Sequence, residues 1–158
     1  MIIDGLILAG GRSRRFGADK RVEPVEGRGM AAIAYSKLVA VVEGTIFVAT
    51  GARRETLPGL ERAVAIVDEA PGRGPLGGLS AALVRSRDGV LVIACDLPNL
   101  RRSTLERLAR AARSGDRPIA LRGPQGWEPL VAWYPRSALH TVRLALRSSR
   151  PAPFLVLA

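Results

Sequence analysis

The sequence LILAGGRSRRFGADK (Leu6–Lys20) joins an apolar strand to a loop of small and positively charged residues. Gly10 and Gly11 remove side chains where the backbone leaves the strand, so main-chain N–H groups can approach a ligand closely. Four cations follow in the same loop: Arg12, Arg14, Arg15 and Lys20. Bare backbone followed by cations is typical of a loop that holds a polyphosphate. Taken alone, these residues are also compatible with a solvated arginine loop, and their spacing matches neither the Walker A motif nor the Rossmann glycine motif.

The composition indicates one globular domain in a reducing compartment. The chain has 158 residues, 47% of them hydrophobic, which is enough for one full core. Its single cysteine, Cys95, excludes an internal disulfide and a cysteine-based zinc cluster. No apolar run is long enough to span a bilayer, and no basic leader precedes the first apolar run. We therefore expect a cytoplasmic protein with no signal peptide and no membrane partner.

The charge favours anionic ligands. The formal net charge is +10, and all of the basic residues except Lys20 and Lys37 are arginine. A positive field of this kind attracts phosphates, nucleotides or nucleic acid. Aromatic residues make up only 4% of the chain, the arginines are spread along it, and no nucleic-acid motif is present. Nucleic-acid binding is therefore the least favoured of these alternatives.

Apolar segments alternate with helical patterns along the chain. Expected strands are Ile2–Leu8, Thr45–Thr50, Ala63–Val67, Val90–Cys95, Pro118–Leu121, Leu130–Tyr134 and a last strand at Phe154–Leu157. Expected helices are Ala31–Val42, Leu79–Ser86, a helix capped by Ser103 and Glu106 that runs to Arg113, and Ser137–Arg147. This alternation predicts a three-layer α/β fold, in which helices flank a mainly parallel, Rossmann-like sheet.

Acidic and glycine-rich segments follow the predicted strands. Ligands of such folds bind beyond the carboxyl ends of the strands. Asp96 follows the apolar strand Val90–Cys95, where a carboxylate can hold a divalent cation such as Mg²⁺ or can simply cap a turn. Asp68 ends a strand in the same way, ahead of the glycine-rich loop 72–78 that opens a helix. The N-terminus of that helix could receive an anion, although a tight turn would need the same glycines.

Three of these segments resemble motifs of one enzyme family. LAGGRSRRFGADK is similar to the L-A-G-G-x-x-x-R-x-G-x-D-K signature of nucleotidyltransferases, among them the molybdenum cofactor guanylyltransferases. GPLGGL and CDLP resemble the second glycine loop and the metal-binding segment of that family. The resemblance extends over roughly Ile2–Tyr134, where WEPLVAWY is similar to a family strand near the acceptor. It implies one nucleotidyltransferase domain, residues 1–158, of the nucleoside-diphospho-sugar transferase type.

The resemblance also implies an activity and a site. The activity is transfer of GMP from GTP to the terminal phosphate of molybdopterin, with release of pyrophosphate. The implied catalytic residues are Arg15 and Lys20, which face phosphates, and Asp96, which binds Mg²⁺. Residues implied in nucleotide binding, mostly through the main chain, are Leu8, Ala9, Gly10, Gly11, Lys20, Ala49, Asp68, Gly74, Pro75, Leu76, Gly77 and Asp96. Proteins of molybdenum insertion, or molybdoenzymes, would be partners.

Two departures from the family pattern leave alternatives open. Some members carry an asparagine where this chain has Ala49, so a contact there must come from the main chain or from Thr50. The family commonly closes with an Asn-x-Asn-Thr-Pro segment that this sequence lacks. The alternatives are transfer of CMP or of another nucleotide to a phosphorylated acceptor, and a relative that binds a nucleotide or cofactor without turnover.

Overall fold

A six-stranded sheet forms the middle layer of the molecule. A computed structural model describes residues 1–10, 24–25, 28–60, 62–124 and 126–157. In this part of the chain its strands are β1 (Asp4–Leu8), β4 (Ile46–Ala49), β5 (Val64–Ile66), β6 (Gly89–Ala94), β7 (Ile119–Gly123) and β8 (Gly126–Pro135). Across the sheet they lie in the order β5-β4-β1-β6-β8-β7. Two short strands, β2 (Pro24–Val25) and β3 (Arg28–Gly29), pair separately as an antiparallel ribbon.

Parallel and antiparallel pairing divide this sheet into two parts. β1 pairs in parallel with β4 on one side and with β6 on the other, and β5 pairs in parallel with β4. β8 runs antiparallel to β6, and β7 and β8 form an antiparallel hairpin at the edge. The predicted α/β fold with a mainly parallel sheet is therefore confirmed, with an antiparallel hairpin added to it.

Helices cover both faces of the sheet, as continuous apolar strands require. The helices are α1 (Met30–Val39), α2 (Pro75–Arg85), α3 (Arg102–Ala112), α4 (Leu139–Arg147) and α5 (Phe154–Leu157), and a 3-10 turn, Arg136–Ala138, leads into α4. One apolar cluster joins the sheet to α2, α4 and α5, and the second joins the sheet to α1 and α3. Successive residues of β1 alternate between the two clusters: Leu6 and Leu8 pack in the first and Ile7 in the second.

Two local predictions were wrong. Phe154–Leu157, expected as a strand, is a helical turn, and Val156 is buried in the cluster formed with α2 and α4. A four-residue apolar run has no periodicity that separates a strand from a helix. The expected cap at Ser103 is also wrong, because α3 begins at Arg102 and its N-cap, Arg101, makes no side-chain hydrogen bond. Glu106 instead accepts a hydrogen bond from Arg102 Nε at 2.7 Å, one helical turn away.

A buried carboxylate joins the three central strands at the end of the sheet where β1 begins. Asp4, in β1, is only 3% exposed. Its Oδ1 accepts a hydrogen bond from Thr45 N at 2.6 Å, just before β4. Its Oδ2 accepts one from Arg87 N at 2.9 Å, in the segment that leads into β6. Two donors therefore satisfy a charge that would be costly to bury alone.

No helix within the described ranges is long and apolar enough to cross a membrane.

Candidate nucleotide site

The carboxyl ends of four neighbouring strands form one rim. In the register of the sheet, Leu8 lies between Ala49 of β4 and Ala94 of β6, and Ala49 lies beside Ile66 of β5. Two residues past these positions stand Gly10, Gly51, Asp96 and Asp68. Neighbouring strands lie about 4.8 Å apart, so the backbone positions of Asp68 and Asp96, three strands apart in this row, are separated by roughly 15 Å. Gly11, Arg15 and Lys20, which the sequence also assigned to the site, lie outside the described residues.

The middle of the rim offers main-chain atoms. A Cβ atom on Gly10 would lie 3.0 Å from Gly51 N, so the chains that leave β1 and β4 pass close together. Leu8, Ala9 and Ala49 are buried, which leaves main-chain groups as their means of contact with a ligand. The Thr50 hydroxyl does not face a ligand, because it donates to Arg53 O at 2.6 Å and accepts from Glu55 N at 3.3 Å.

The N-terminus of α2 packs directly against this rim. Its N-cap is Gly74, at φ +75°, and Pro75 occupies the first turn. A Cβ on Gly77 would lie 3.0 Å from Asp68 Cβ, and one on Gly78 only 2.6 Å from Ala49 Cβ. Glycine at these positions therefore allows the positive end of the helix dipole to approach the strand ends. Leu76 is fully buried and anchors the first turn, so its side chain is part of the core.

Asp68 faces this helix end with an unsatisfied oxygen. Its Oδ1 is buried and has no hydrogen-bond partner among the described residues. Burial raises the pKa of Asp68, and a hydrogen bond from the Gly51 main chain partly opposes that rise. Buried polar atoms in folded proteins are almost always hydrogen-bonded, so this oxygen is suited to accept a donor from a ligand.

The neighbouring acid, Glu69, has a structural role. Its carboxylate accepts hydrogen bonds from Ser80 of α2 and from Arg143 of α4, whose Nη2 lies 2.8 Å from Glu69 Oε1. Burial alone would raise the pKa of Glu69, but the hydrogen bonds from Ser80 and Arg143, together with the positive charges of Arg143 and Arg147, outweigh it and lower this pKa. The two adjacent carboxylates thus differ in function: Glu69 joins α2 to α4, whereas Asp68 can accept a hydrogen bond from a ligand at the rim.

Arg73 fixes the glycine-rich loop to the C-terminal end of α4. Its Nη2 donates to Leu146 O and to Ser148 O, both at 2.7 Å, and its Nε donates to Leu146 O at 3.2 Å. These carbonyls belong to the last turn of the helix, where cations are favoured. The loop between Asp68 and α2 is therefore fixed on both sides, by Glu69 and by Arg73.

Asp96 lies at the opposite end of the rim on an exposed turn. The preceding residue, half-buried Cys95, donates its main-chain N–H to Leu8 O at 3.2 Å, which ties this turn to β1. Lys37 of α1 reaches the same turn, and its Nζ donates to Pro98 O at 2.5 Å and to Leu97 O at 3.4 Å. Burial lowers the pKa of Lys37. In the described part of the chain, no three or more His, Cys, Asp or Glu side chains are grouped so that they could hold a metal ion.

A family model for the MobA-like NTP transferase domain matches residues 5–156. The chain belongs to this family. The match confirms the resemblance predicted from the sequence, and it makes the MobA-like chain a nucleotidyltransferase.

Two curated relatives show what this MobA-like chain is similar to. The probable molybdenum cofactor guanylyltransferase of Opitutus terrae is 34% identical over 148 residues, which cover 90% of this chain and 71% of the relative. The molybdenum cofactor guanylyltransferase of Pseudomonas aeruginosa is 34% identical over 156 residues, which cover 96% of this chain and 78% of the relative.

Solved structures agree on the fold. The molybdopterin-guanine dinucleotide biosynthesis protein A of Archaeoglobus fulgidus superposes with a TM-score of 0.78 at 23% identity, covering 98% of this chain and 78% of that one. The Mycobacterium tuberculosis protein Rv0371c in complex with manganese superposes with a TM-score of 0.69 at 17% identity, covering 96% and 85%. The nucleotidyltransferase fold class predicted from the sequence is confirmed.

Three residues that support the rim of the MobA-like domain could not be predicted from the sequence: Lys37, Glu69 and Arg73. Their hydrogen-bond partners lie 11 to 75 positions away in the chain, so no local sequence pattern predicts these contacts. Of the three, only Lys37 is unusual in the sequence, because lysine is rare in a chain whose other cations are almost all arginine.

The raised pKa of Asp68 predicts a pH-dependent stability. A carboxyl whose folded-state pKa lies above its unfolded value of 3.8 favours the fold below that value, and this contribution is lost as pH rises through the folded-state pKa. We expect Asp68→Asn to have a Tm at pH 7 at least equal to that of the original chain, and the advantage of the variant to shrink as pH falls toward 4. Thermal unfolding at several pH values measures this; a pH-independent difference would contradict it.

Proposed function

We propose that this chain transfers GMP from GTP to the terminal phosphate of molybdopterin and releases pyrophosphate. The observation that carries the proposal is the similarity to curated guanylyltransferases, which extends over 90% and 96% of the chain. The rim at the carboxyl ends of β5, β4, β1 and β6 supports it, because the rim combines close main-chain packing with a carboxylate at each end. We further propose that residues 1–158 act as one nucleotidyltransferase domain in the cytoplasm.

In this proposal GTP lies along the rim. Main-chain groups of the β1 and β4 ends and of the α2 N-terminus contact the nucleotide, and Asp68 Oδ1 accepts a hydrogen bond from its base or ribose. The residues proposed for these contacts are Leu8, Ala9, Gly10, Gly11, Ala49, Asp68, Gly74, Pro75, Leu76 and Gly77. A fixed glycine loop costs little entropy when the nucleotide binds, because Glu69 and Arg73 already hold it in place.

Asp96 is suited to hold a divalent cation together with substrate phosphates. Mg²⁺ typically takes one or two protein carboxylates and fills its remaining positions with water and phosphate oxygens. A single exposed carboxylate at the end of the rim fits that donor set. When bound, Mg²⁺ would neutralise charge on the phosphates. The choice of Mg²⁺ rather than another divalent ion is part of this proposal.

The chemistry requires little from side chains beyond position and charge. The attacking phosphate of the acceptor is already ionised, so no general base is needed. Arg15 and Lys20 would stabilise the negative charge that grows on the α-phosphoryl group and on the departing pyrophosphate. His140 lies on the exposed side of α4 and has no part in this scheme.

The contact of Lys37 with the Asp96 turn predicts a change in metal dependence. Lys37→Met removes both hydrogen bonds to the turn, and the loss of about 1 kcal/mol of positioning energy corresponds to roughly fivefold weaker use of the metal. We expect the Mg²⁺ concentration that gives half-maximal activity to rise by about that factor. Lys37→Arg should restore much of it, and the exposed Arg102→Met serves as a control. Equal metal titrations for all variants would remove Lys37 from this role.

The test of the activity is direct. Purified protein is incubated with Mg²⁺, molybdopterin and either GTP or CTP, and pyrophosphate is measured. Release with GTP alone supports the proposal, whereas release with CTP alone would assign the cytidylyl alternative. Binding of nucleotide without release would indicate the non-catalytic relative, and proteins of molybdenum insertion or molybdoenzymes would then be tested as partners.

A further inference from the structure

The β7–β8 hairpin extends past the rim beside Asp96. Ile93 of β6 pairs with Val131 of the antiparallel β8, so the residues of β8 before Val131 continue in the direction in which β6 ends. Trp127 stands four residues before Val131, and Asp96 three residues after Ile93. The hairpin tip therefore borders the metal-binding end of the proposed site, at the opposite side from Asp68.

Trp127 and Arg122 form a stacked pair on this hairpin. They are cross-strand partners, and the Arg122 guanidinium carbon lies 5.6 Å from the centre of the indole ring. Trp127 is 52% exposed even so. The guanidinium rests against the ring and keeps N–H donors for an anion, so the pair presents a flat aromatic surface next to a positive charge.

The alternation of β7 shows which face carries the pair. Leu121 packs with the layer of α1 and α3, and successive residues of a strand point to opposite faces. Arg122 and its partner Trp127 therefore project on the other face, which is the face of α2. The N-terminus of α2 opens on the same side, against Ala49 and Leu8.

A bulge lies between the hairpin tip and the rest of β8. The partner of Ala120 is Ala132, but the partner of the next residue, Leu121, is Glu128, so β8 carries extra residues between these positions. The hydroxyl of buried Tyr134 donates to Pro129 O at 2.9 Å inside this bulge. Bulges of this kind redirect side chains next to active sites.

We propose that Trp127 and Arg122 form the acceptor platform of the enzyme. The indole stacks on the pyrimidinone ring of the pterin of molybdopterin, and Arg122 orients the indole and faces the acceptor phosphate. This inference rests on the proposed function. It adds a specificity-determining surface on the antiparallel part of the sheet, separate from the groups proposed to hold GTP.

Steady-state kinetics test the platform with the full chain. Stacking of a heterocycle on an aromatic side chain is worth about tenfold or more in affinity, so we expect Trp127→Ala to raise KM for molybdopterin by about that factor. KM for GTP should stay within about twofold, and Trp127→Phe should retain most of the affinity. Leu144, on α4, is also an exposed apolar residue, and Leu144→Ala should change neither KM value.

Tryptophan fluorescence gives a readout without turnover. The chain has two tryptophans, and Trp133 is fully buried. Molybdopterin alone should quench the emission of the original chain, and this quenching should be lost in Trp127→Phe. If the chain turns over GTP and molybdopterin but Trp127→Ala keeps the original KM for molybdopterin, the platform is refuted and the proposed function stands. A rise of both KM values would also refute it, and absence of turnover in the original chain would refute the proposed function itself.

Discussion

Asp96→Asn is expected to lower kcat by about 100- to 1000-fold, because it replaces with a neutral amide the only carboxylate that we propose as a ligand of the cation. Losing a transition-state charge contact of this kind costs about 3–4 kcal/mol. The side chain is exposed, so the Tm should stay within about 2 °C of the original value. Activity should no longer rise with Mg²⁺ in the range where the original chain responds.

A second acid provides the control for this experiment. Asp88 is also on a turn, but it lies at the opposite end of β6, where it accepts a hydrogen bond from Ile2 N at 2.6 Å. Asp88→Asn removes the same charge and should leave kcat and the Mg²⁺ titration nearly unchanged. If Asp96→Asn gave the same metal titration as the original chain, the proposed role of Asp96 would be wrong.

Asp4→Ala is expected to reduce the free energy of unfolding by about 3 kcal/mol, the largest stability effect that the structure predicts. The change leaves Thr45 N and Arg87 N without their acceptor, and each unpaired buried donor costs about 1–3 kcal/mol. For a domain of this size the Tm should fall by roughly 10 °C. Urea unfolding and thermal unfolding both measure the effect.

The matched control is an acid that accepts a hydrogen bond at the surface. Asp116 accepts from Ser137 Oγ at 3.0 Å in an exposed setting, and Asp116→Ala should change stability by less than about 0.5 kcal/mol. If both variants lost the same free energy of unfolding, burial of Asp4 would not increase its contribution to stability. At a temperature where Asp4→Ala is still folded, its kcat should match that of the original chain, since Asp4 is at the far end of the sheet.

The fold could be predicted because burial on both faces leaves a clear mark in sequence. Strands such as Val90–Cys95 are continuously apolar, and the helices between them imply a covered parallel sheet. Short terminal segments carry no such mark, so Phe154–Leu157 was assigned to the wrong element. The N-cap of α3 failed for a similar reason: Arg102 and Glu106 pair within the helix, and the sequence pattern of a capping box cannot exclude that pairing.

The rim could be predicted in outline because the topology of the fold brings strand ends together. Asp96 follows the buried strand β6 and Asp68 follows the edge strand β5, and both stand on the rim. The supports of the rim could not be predicted. The contacts of Lys37 with Pro98 O and of Arg73 with Ser148 O join distant parts of the chain. The exposed stack of Trp127 on Arg122 depends on the register across a bulge, which the sequence does not specify.

The antiparallel β7–β8 hairpin lies beside the parallel strands, so its tip can change in evolution separately from them. Among strands β5, β4, β1 and β6, helix α1 links β1 to β4 and helix α2 links β5 to β6, so a change in the length of these strands disturbs more than one layer. The tip of the β7–β8 hairpin is bounded by Gly123 and Gly126, and it can gain, lose or exchange residues without moving those four strands. In our proposal, acceptor choice and nucleotide chemistry therefore belong to two parts of the sheet that can vary independently.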